Sequence, residues 1–377
     1  MIEILEVKTK KQWKEFALFP INLYKDCPYY VPAFISDDAS LANEKKNPPA
    51  INCIVKAFLA YKNGKIVGRI AGIIVNESNN RFNQKRVRIS RFDFIDDYEV
   101  SQALINAVEN FAKEYGMNQI HGPWGFNDTD REGMLTSGFD TMGSYATNYN
   151  FEYYNDHMRK MGFEKESGWI ESKISFPKLN DRQYERFCKL GEYTKKKYKL
   201  REVCDEMPLK KIVKLYGDKF FDCYNKAYAD LDMFIEIKDE VKKTVLKQFA
   251  TMINIDYFSV VVDKNDEVVA FCVILPSFGK LVKKHGGKMS LPFIFELLKY
   301  LKNPDVLELT LIAVSPEFKK KGYTAVCIER MVKNIAKNNI DTVVSCPTLE
   351  DNFEVRAQWN ALENEIIKTR QTYIKNI

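Results

Sequence analysis

Residues 307–335 read LELTLIAVSPEFKKKGYTAVCIERMVKNI. A short run of apolar and β-branched residues ends at Val314, Ser315-Pro316 punctuates it, and three lysines and a glycine precede an amphipathic pattern. This is the signature of a strand, a loop and a helix in succession. Lys319, Lys320, Lys321 and Gly322 stand between the strand end and the helix start, where backbone N–H groups and positive charge converge. Such a junction suits a phosphate or pyrophosphate.

At 377 residues the chain is longer than most single cores, which favours two domains. Its 45% hydrophobic and 13% aromatic content supplies ample material to bury and argues against disorder. The formal charge of +6, from 57 basic and 51 acidic residues scattered throughout, is a weak signal for nucleic acid and is sufficient for an anionic small ligand. Eight cysteines lie far apart with no CxxC pair and mostly among apolar neighbours, so they read as small buried hydrophobes in a reducing compartment. With three histidines, a His-rich metal site is not expected. No run of 18 apolar residues occurs and the N-terminus lacks the apolar core of a signal peptide, so a cytoplasmic protein with no membrane partner is the expectation.

Upstream, Val55–Val75 holds two apolar runs around Lys62-Asn63-Gly64-Lys65, a strong hairpin signal. A strand over 87–95 and a helix to Tyr115, for which Ser101 is a candidate cap, come next. The following thirty residues are rich in Gly, Asp, Asn and aromatics. They read either as an ordered loop lining an acceptor pocket, with Trp124, Phe126, Asn127, Asp128, Arg131 and Tyr149 as contacts, or as a structural plug over the sheet. A short helix over 153–161 and a strand near 169–175 close the first half. The polar stretch 179–198 reads as a linker or helix between units spanning 1–178 and 199–377.

The second half repeats the order. Helices are expected over 210–229 and 238–252, a hairpin turns at Lys264-Asn265-Asp266, and Phe293–Leu301 is helical. After the 307–335 stretch come a strand over 342–346 and a long terminal helix from Phe353 to Tyr373. The pattern argues for a structural duplication.

Taken together, these elements resemble the GNAT superfamily of N-acyltransferases. The family signature, Q/R-x-x-G-x-G/A after a strand ending in valine, falls on Lys319, Gly322 and Thr324 after Val314; lysine and threonine replace the usual residues at its first and last positions. The resemblance implies an α/β fold of two tandem GNAT units, each a mixed central sheet flanked by helices. The first copy is degenerate, because its junction at 94–101, FIDDYEVS, is acidic and would repel a pyrophosphate.

The resemblance further implies acetyl-CoA or another acyl-CoA as co-substrate, no metal, and a small-molecule or peptide amine as acceptor. Pantetheine would run along Ile312, Ala313 and Val314, and the pyrophosphate would rest on Lys319 through Thr324, including Tyr323. Asn352 would touch the cofactor or cap the next helix. Glu308 occupies the place of the family's general-base glutamate, and its even spacing from Val314 would put both on one face of a regular strand; a solvent-facing glutamate is the other reading. The family's acid tyrosine position falls on Trp359, leaving water, Tyr323 or Tyr373 to protonate the thiolate. A non-catalytic acyl-CoA sensor and a Fem-type aminoacyl transferase remain alternatives.

Overall fold

The computed structural model describes residues 1–377 except 128–129, 180, 232–233, 240–241, 243–245, 247–251 and 360–361. Asp128 and most of the expected 238–252 helix therefore lie outside the described residues. The strands of the first half are β1 (Ile2–Glu6), β2 (Cys53–Lys62), β3 (Lys65–Val75), β4 (Arg86–Phe94), β5 (Gln119–Gly122), β6 (Met134–Ser137) and β7 (Glu164–Ser175). The second half contributes β8 (Arg201–Glu202), β9 (Phe258–Val262), β10 (Val268–Pro276), β11 (Val306–Val314), β12 (Thr342–Ser345), β13 (Thr348–Leu349) and β14 (Glu363–Asn376). The principal helices are α1 (Lys10–Leu23), α2 (Tyr98–Glu114), α3 (Tyr153–Lys160), α4 (Arg182–Tyr198), α5 (Leu209–Tyr228), α6 (Gly279–Lys284), α7 (Leu291–Lys302), α8 (Thr324–Lys337) and α9 (Phe353–Trp359).

All strands belong to one sheet in the order β1-β2-β3-β4-β5-β14-β7-β12-β11-β10-β9-β8, with β6 on β14 and β13 on β7. Pairing is antiparallel except at β4/β5 and β11/β12. The expected hairpins form at Asn63-Gly64 (φ +52° and +72°) and around Asp266 (φ +64°). Those left-handed positions are what tight hairpin turns require, and Asn, Asp and Gly tolerate them.

The two halves are knitted together by their last strands. The terminal strand β14 lies between β5 and β7 of the first half, while β7 also pairs with β12 and β13 of the second. This corrects the expected long terminal helix, since only Phe353–Trp359 is helical. From Ile367 to Thr372 the residues alternate, Lys368, Arg370 and Thr372 being buried and Ile367, Thr369 and Gln371 less so, which is the strand period of two.

Helix α2 packs Val100, Leu104, Val108 and Phe111 on the first-half sheet. Gly68 and Gly72 of β3 permit this, for a Cβ there would meet Leu104 at 2.7 Å and Phe111 at 2.8 Å. Burying such side chains contributes roughly 1.5–3 kcal/mol each. The cap of α2 is Asp97, accepting from the Glu99 amide at 3.0 Å, rather than the expected Ser101. Ser101 lies a turn further in, buried, with its hydroxyl at 2.9 Å from both the Tyr98 carbonyl and His157 Nδ1. The second-half sheet is sandwiched between α8 on one face and α5 on the other. Helix α4, in the stretch between the halves, docks on α8, where Lys195 reaches the buried Glu329 at 3.0 Å.

Candidate active site

The geometry that decides the site is the end of the parallel pair in the second half. Strands β11 and β12 run in register from Val306 and Thr342 to Leu309 and Ser345, with one more bond from the Cys346 amide to the Leu309 carbonyl at 2.9 Å. Strand β11 continues to Val314 on its other neighbour, β10. Residues 310–314 thus present an edge with no strand opposite among the described residues, a slot where an extended ligand can hydrogen-bond to backbone. Ile312, Ala313 and Val314 lie along it, and Tyr228 reaches the Ile312 carbonyl at 3.4 Å.

A β-bulge at Thr310 alters which faces these residues use. Leu309 pairs with Ile274 and Leu311 with Val273, so Thr310 is the extra residue. Its hydroxyl donates to the Val273 carbonyl at 2.7 Å. One extra residue reverses the alternation beyond it. Accordingly Leu307 and Leu309 before the bulge share the α8 side with Ile312 and Val314 after it. Glu308 therefore does not share the face of Val314, as even spacing in a regular strand implies. It points to the side of Leu311 and Ala313.

There Glu308 is buried and held by two hydroxyls, one from each half. Ser144 donates to Oε2 at 2.7 Å and Ser277 donates to Oε1. Burial pushes its carboxyl above the ordinary value, the two hydroxyls oppose the rise, and Glu171 adds to it. Glu171 is itself buried, bonded by Arg370 and lying 3.5 Å from Lys368, whose Nζ also donates to the Met142 carbonyl at 2.7 Å. Glu171, Lys368 and Arg370 thus form a buried charge cluster at the exchanged strands, and Glu171 and Lys368 act on the Glu308 carboxyl in opposite directions. Ser144, Ser277, Glu171, Lys368 and Arg370 were not singled out from sequence. Only the two-residue spacing of Lys368, Arg370 and Thr372 could have pointed to the last two.

Beyond the slot lies the anion junction. Lys319, Lys320 and Lys321 are exposed and, among the described residues, none has a carboxylate within ion-pair distance. The amides of Lys320, Gly322, Tyr323 and Thr324 have no acceptor among the described residues. Lys320 (φ +64°) and Gly322 (φ +77°) turn the chain so that these groups gather at the start of α8. Tyr323 is buried, stacked on Phe318 at 5.0 Å and 14° and lying 5.0 Å from Tyr198. Burial raises its pKa, and its charged neighbour is Asp263 rather than any group around Glu308.

Asn352 accepts the Val355 amide at 3.2 Å and so caps α9. Trp359, at the family's acid position, is buried with its Nε1 unpartnered among the described residues. Tyr373 sits in the first-half core and donates to Asn155 at 2.8 Å.

The equivalent slot of the first half is filled. Beyond Arg88 and His121, where β4 and β5 part, the Trp124 amide bonds to the Ile89 carbonyl at 2.8 Å. The buried Arg88 guanidinium holds the carbonyls of Gly125 and Phe126 at 3.0 and 2.8 Å. Trp124 donates to Glu166 at 3.3 Å and meets Trp169 edge-on at 5.3 Å, and Phe126 is buried in a core cluster with Phe16. Asn127 is half-buried beside them. Arg131 donates to the Tyr145 carbonyl at 2.6 Å, and Tyr149 to the Phe139 carbonyl at 2.9 Å. Arg131 and Tyr149, with Arg69, Arg91, Asp38 and Asp93, line a polar cavity of about 30 Å³. Its charged lining suits ordered water.

No family model matches the chain. It is 34% identical over 157 residues to protein YghO of Escherichia coli (strain K12), a match spanning 41% of this chain and 40% of that protein. It is 22% identical over 301 residues to a bacterial ceramide synthase of Caulobacter vibrioides, spanning 78% of this chain and 74% of that protein. Among solved structures it is similar to a tandem GNAT protein from the clavulanic acid biosynthesis pathway, at 10% identity and TM-score 0.55, covering 100% of this chain and 98% of that one. A GCN5-related glucosamine N-acetyltransferase region of a fungal multi-domain β-N-acetylglucosaminidase superposes with TM-score 0.55 at 11% identity, covering 100% of this chain and 38% of that one. The continuous sheet, its two parallel pairs and these superpositions agree: the chain has the tandem GNAT fold.

Proposed function

We propose that the chain is an acyl-CoA-dependent N-acyltransferase, with 199–377 binding acyl-CoA and 1–178 supplying part of the acceptor cleft. The observation that carries this reading is the open edge of residues 310–314 leading to three unneutralised lysines and free amides at the start of α8. Pantetheine would bond along the edge, and the pyrophosphate would rest on Lys319, Lys320, Lys321 and Gly322.

In the reaction the amine nitrogen attacks the thioester carbonyl carbon, the C–S bond breaks, and the amine proton passes to Glu308. A carboxyl raised by burial is a stronger base than an exposed one, closer to the range in which it can accept that proton. The edge amides of 310–314 would stabilise the oxyanion. The thiolate takes a proton from water entering the open slot, and the proton held by Glu308 passes back to that water, which restores the base; Tyr323 is committed to packing Phe318 and Tyr198 beneath the anion junction.

The acyl group can be acetyl or longer. A lipid amine as acceptor is favoured by the similarity, over most of the chain, to a protein named for ceramide, an N-acylated long-chain amino alcohol. Thiol release from acetyl-, octanoyl- and palmitoyl-CoA with short amines and a long-chain amino alcohol tests both readings. Release that depends on an amine supports transfer. Tight CoA binding with no release for any pair would make the chain a sensor, and dependence on aminoacyl-tRNA would make it a Fem-type enzyme.

A further inference from the structure

Helix α7 is apolar on two faces. Phe293, Leu297 and Tyr300, spaced i, i+4, i+7, pack into a cluster with Val31, Phe34 and Phe278, which seats the helix on the first half. One such stripe suffices to hold a surface helix. Leu291, Ile294, Phe295 and Leu298, spaced i, i+3, i+4, i+7, form a second stripe that joins no hydrophobic cluster among the described residues and is 72, 41, 73 and 53% exposed. Met289, just before the helix, extends it at 62%. A contiguous stripe of this kind is not the scattered apolar exposure of an ordinary surface.

The charges around the stripe select its partner. Lys288, Lys299 and Lys302 are exposed and have no carboxylate within ion-pair distance among the described residues. The one acidic residue of the helix, Glu296, is neutralised by Lys284 at 2.7 Å beside His285. A symmetric contact between two copies would set these like-charged rims against each other. Apolar residues bordered by lysines suit the headgroup zone of an anionic bilayer, where the side chains enter the acyl boundary and the ammonium groups meet phosphates.

We propose that α7 docks the protein on an anionic lipid surface, lying in the membrane plane. This amends the expectation of no membrane partner, which rested on spanning and signal segments and not on surface helices; no described helix is long and apolar enough to cross a membrane. Phe278, next to Ser277 in the chain, packs with Phe293 of α7, and Ser277 bonds Glu308. Docking would therefore bring the candidate base close to lipid, so that a lipophilic acceptor need not pass through water. That last step rests on the proposed acyl transfer, whereas the docking does not.

The test is co-sedimentation of the full chain with phosphatidylcholine vesicles, with and without phosphatidylglycerol, at low and high salt. Binding is expected to require phosphatidylglycerol, to weaken with salt, and to fall roughly tenfold in a Phe295→Glu/Leu298→Glu variant and roughly fivefold per charge in Lys288→Glu and Lys299→Glu. These positions are exposed, so circular dichroism melts should be unchanged in the variants. Equal sedimentation of variant and wild type, or no sedimentation of either, overturns the proposal. So does a concentration-dependent dimer in analytical ultracentrifugation that Phe295→Glu disperses while vesicles are ignored, an outcome that would give the stripe to a second copy. Thiol release in detergent-free buffer is read separately, so that a failed docking and a failed transferase are distinguishable.

Discussion

Glu308, on the last strand before the anion junction, accepts a 2.7 Å hydrogen bond from Ser144, which lies in the long loop of the other half. The candidate base is thereby oriented by both copies of the fold, Ser277 holding its second oxygen. Replacing the carboxylate by an amide of the same shape, Glu308→Gln, should lower kcat by about 10²–10⁴-fold while leaving CoA binding near wild type. Single-turnover thiol release and calorimetric CoA titration separate the two quantities. A fall in affinity with unchanged kcat would assign Glu308 to structure.

The two hydroxyls also set a pH dependence whose sign can be worked out. Each donates to the ionised carboxylate and so opposes the upward push of burial. Ser144→Ala removes one donor, the pKa rises further, and less of the base form is present at a given acidic pH. The acid limb of kcat/KM should move to higher pH, with the plateau less affected. An unshifted limb would mean that the titrating group is not Glu308.

At the anion junction, Gly322→Asp places a carboxylate where the amides and lysines converge, and should weaken CoA binding by at least about tenfold. A Cβ at this position meets nothing within 4 Å, so Gly322→Ala is the appropriate control for the left-handed backbone, φ +77°. The control is expected to cost roughly 1 kcal/mol of stability with a small effect on affinity. Equal effects of Ala and Asp would place the phosphates elsewhere.

Local chemistry explains which parts of this molecule could be read from its sequence. Asn63-Gly64 and Asp266 announce their hairpins because tight turns demand left-handed residues, and Val314 through Thr324 announces a strand, loop and helix because each element has its own period. The terminal strand is not legible as one from sequence, because Lys368 and Arg370 look like solvent-facing residues. Their burial depends on Glu171, which lies in the other half. Glu308 could be picked out by its distance from Val314, but its face could not, since the bulge at Thr310 is fixed by register with β10. Ser144 and Ser277 carry no local signal at all. The aromatic density of the loop makes it legible as ordered, and the partners of Trp124 and Phe126, Glu166 and the core around Phe16, fit the plug reading over the first-half slot.

The buried charge cluster of the first half should govern acid stability. Burial alone would push the Asp38 carboxyl up, but Arg69 at 2.7 Å, Arg91 at 3.2 Å and Arg131 outweigh it and hold the group at about 2. A folded pKa below the unfolded value of about 3.9 contributes stability that is present above pH 4 and lost as pH falls towards 2. Asp38→Asn should therefore cost about 3 kcal/mol at neutral pH. The difference from wild type, measured by urea unfolding, should shrink progressively between about pH 4 and pH 2. A difference independent of pH would indicate that packing rather than charge is lost.

The exchange of last strands predicts that the halves unfold together. Strand β14 lies between β5 and β7, and β7 pairs with β12, so neither half retains a complete sheet when the other opens. Glu171 is the carboxylate that compensates Lys368 and Arg370 at this crossing, and all three are at most 2% exposed. Glu171→Gln leaves two cations buried with reduced compensation, which should cost about 3–5 kcal/mol. Lys368, already pushed down in pKa by burial against the opposing pull of Glu171, should fall further in the variant. Because a lysine with depressed pKa destabilises the fold while protonated, the variant should regain stability as pH rises through that lowered value. Hydrogen exchange of α2 and α8 reads each half separately. If the strands act as described, both helices lose protection by the same amount in Glu171→Gln and recover in parallel at alkaline pH, whereas loss confined to one helix would show that each half holds its own sheet.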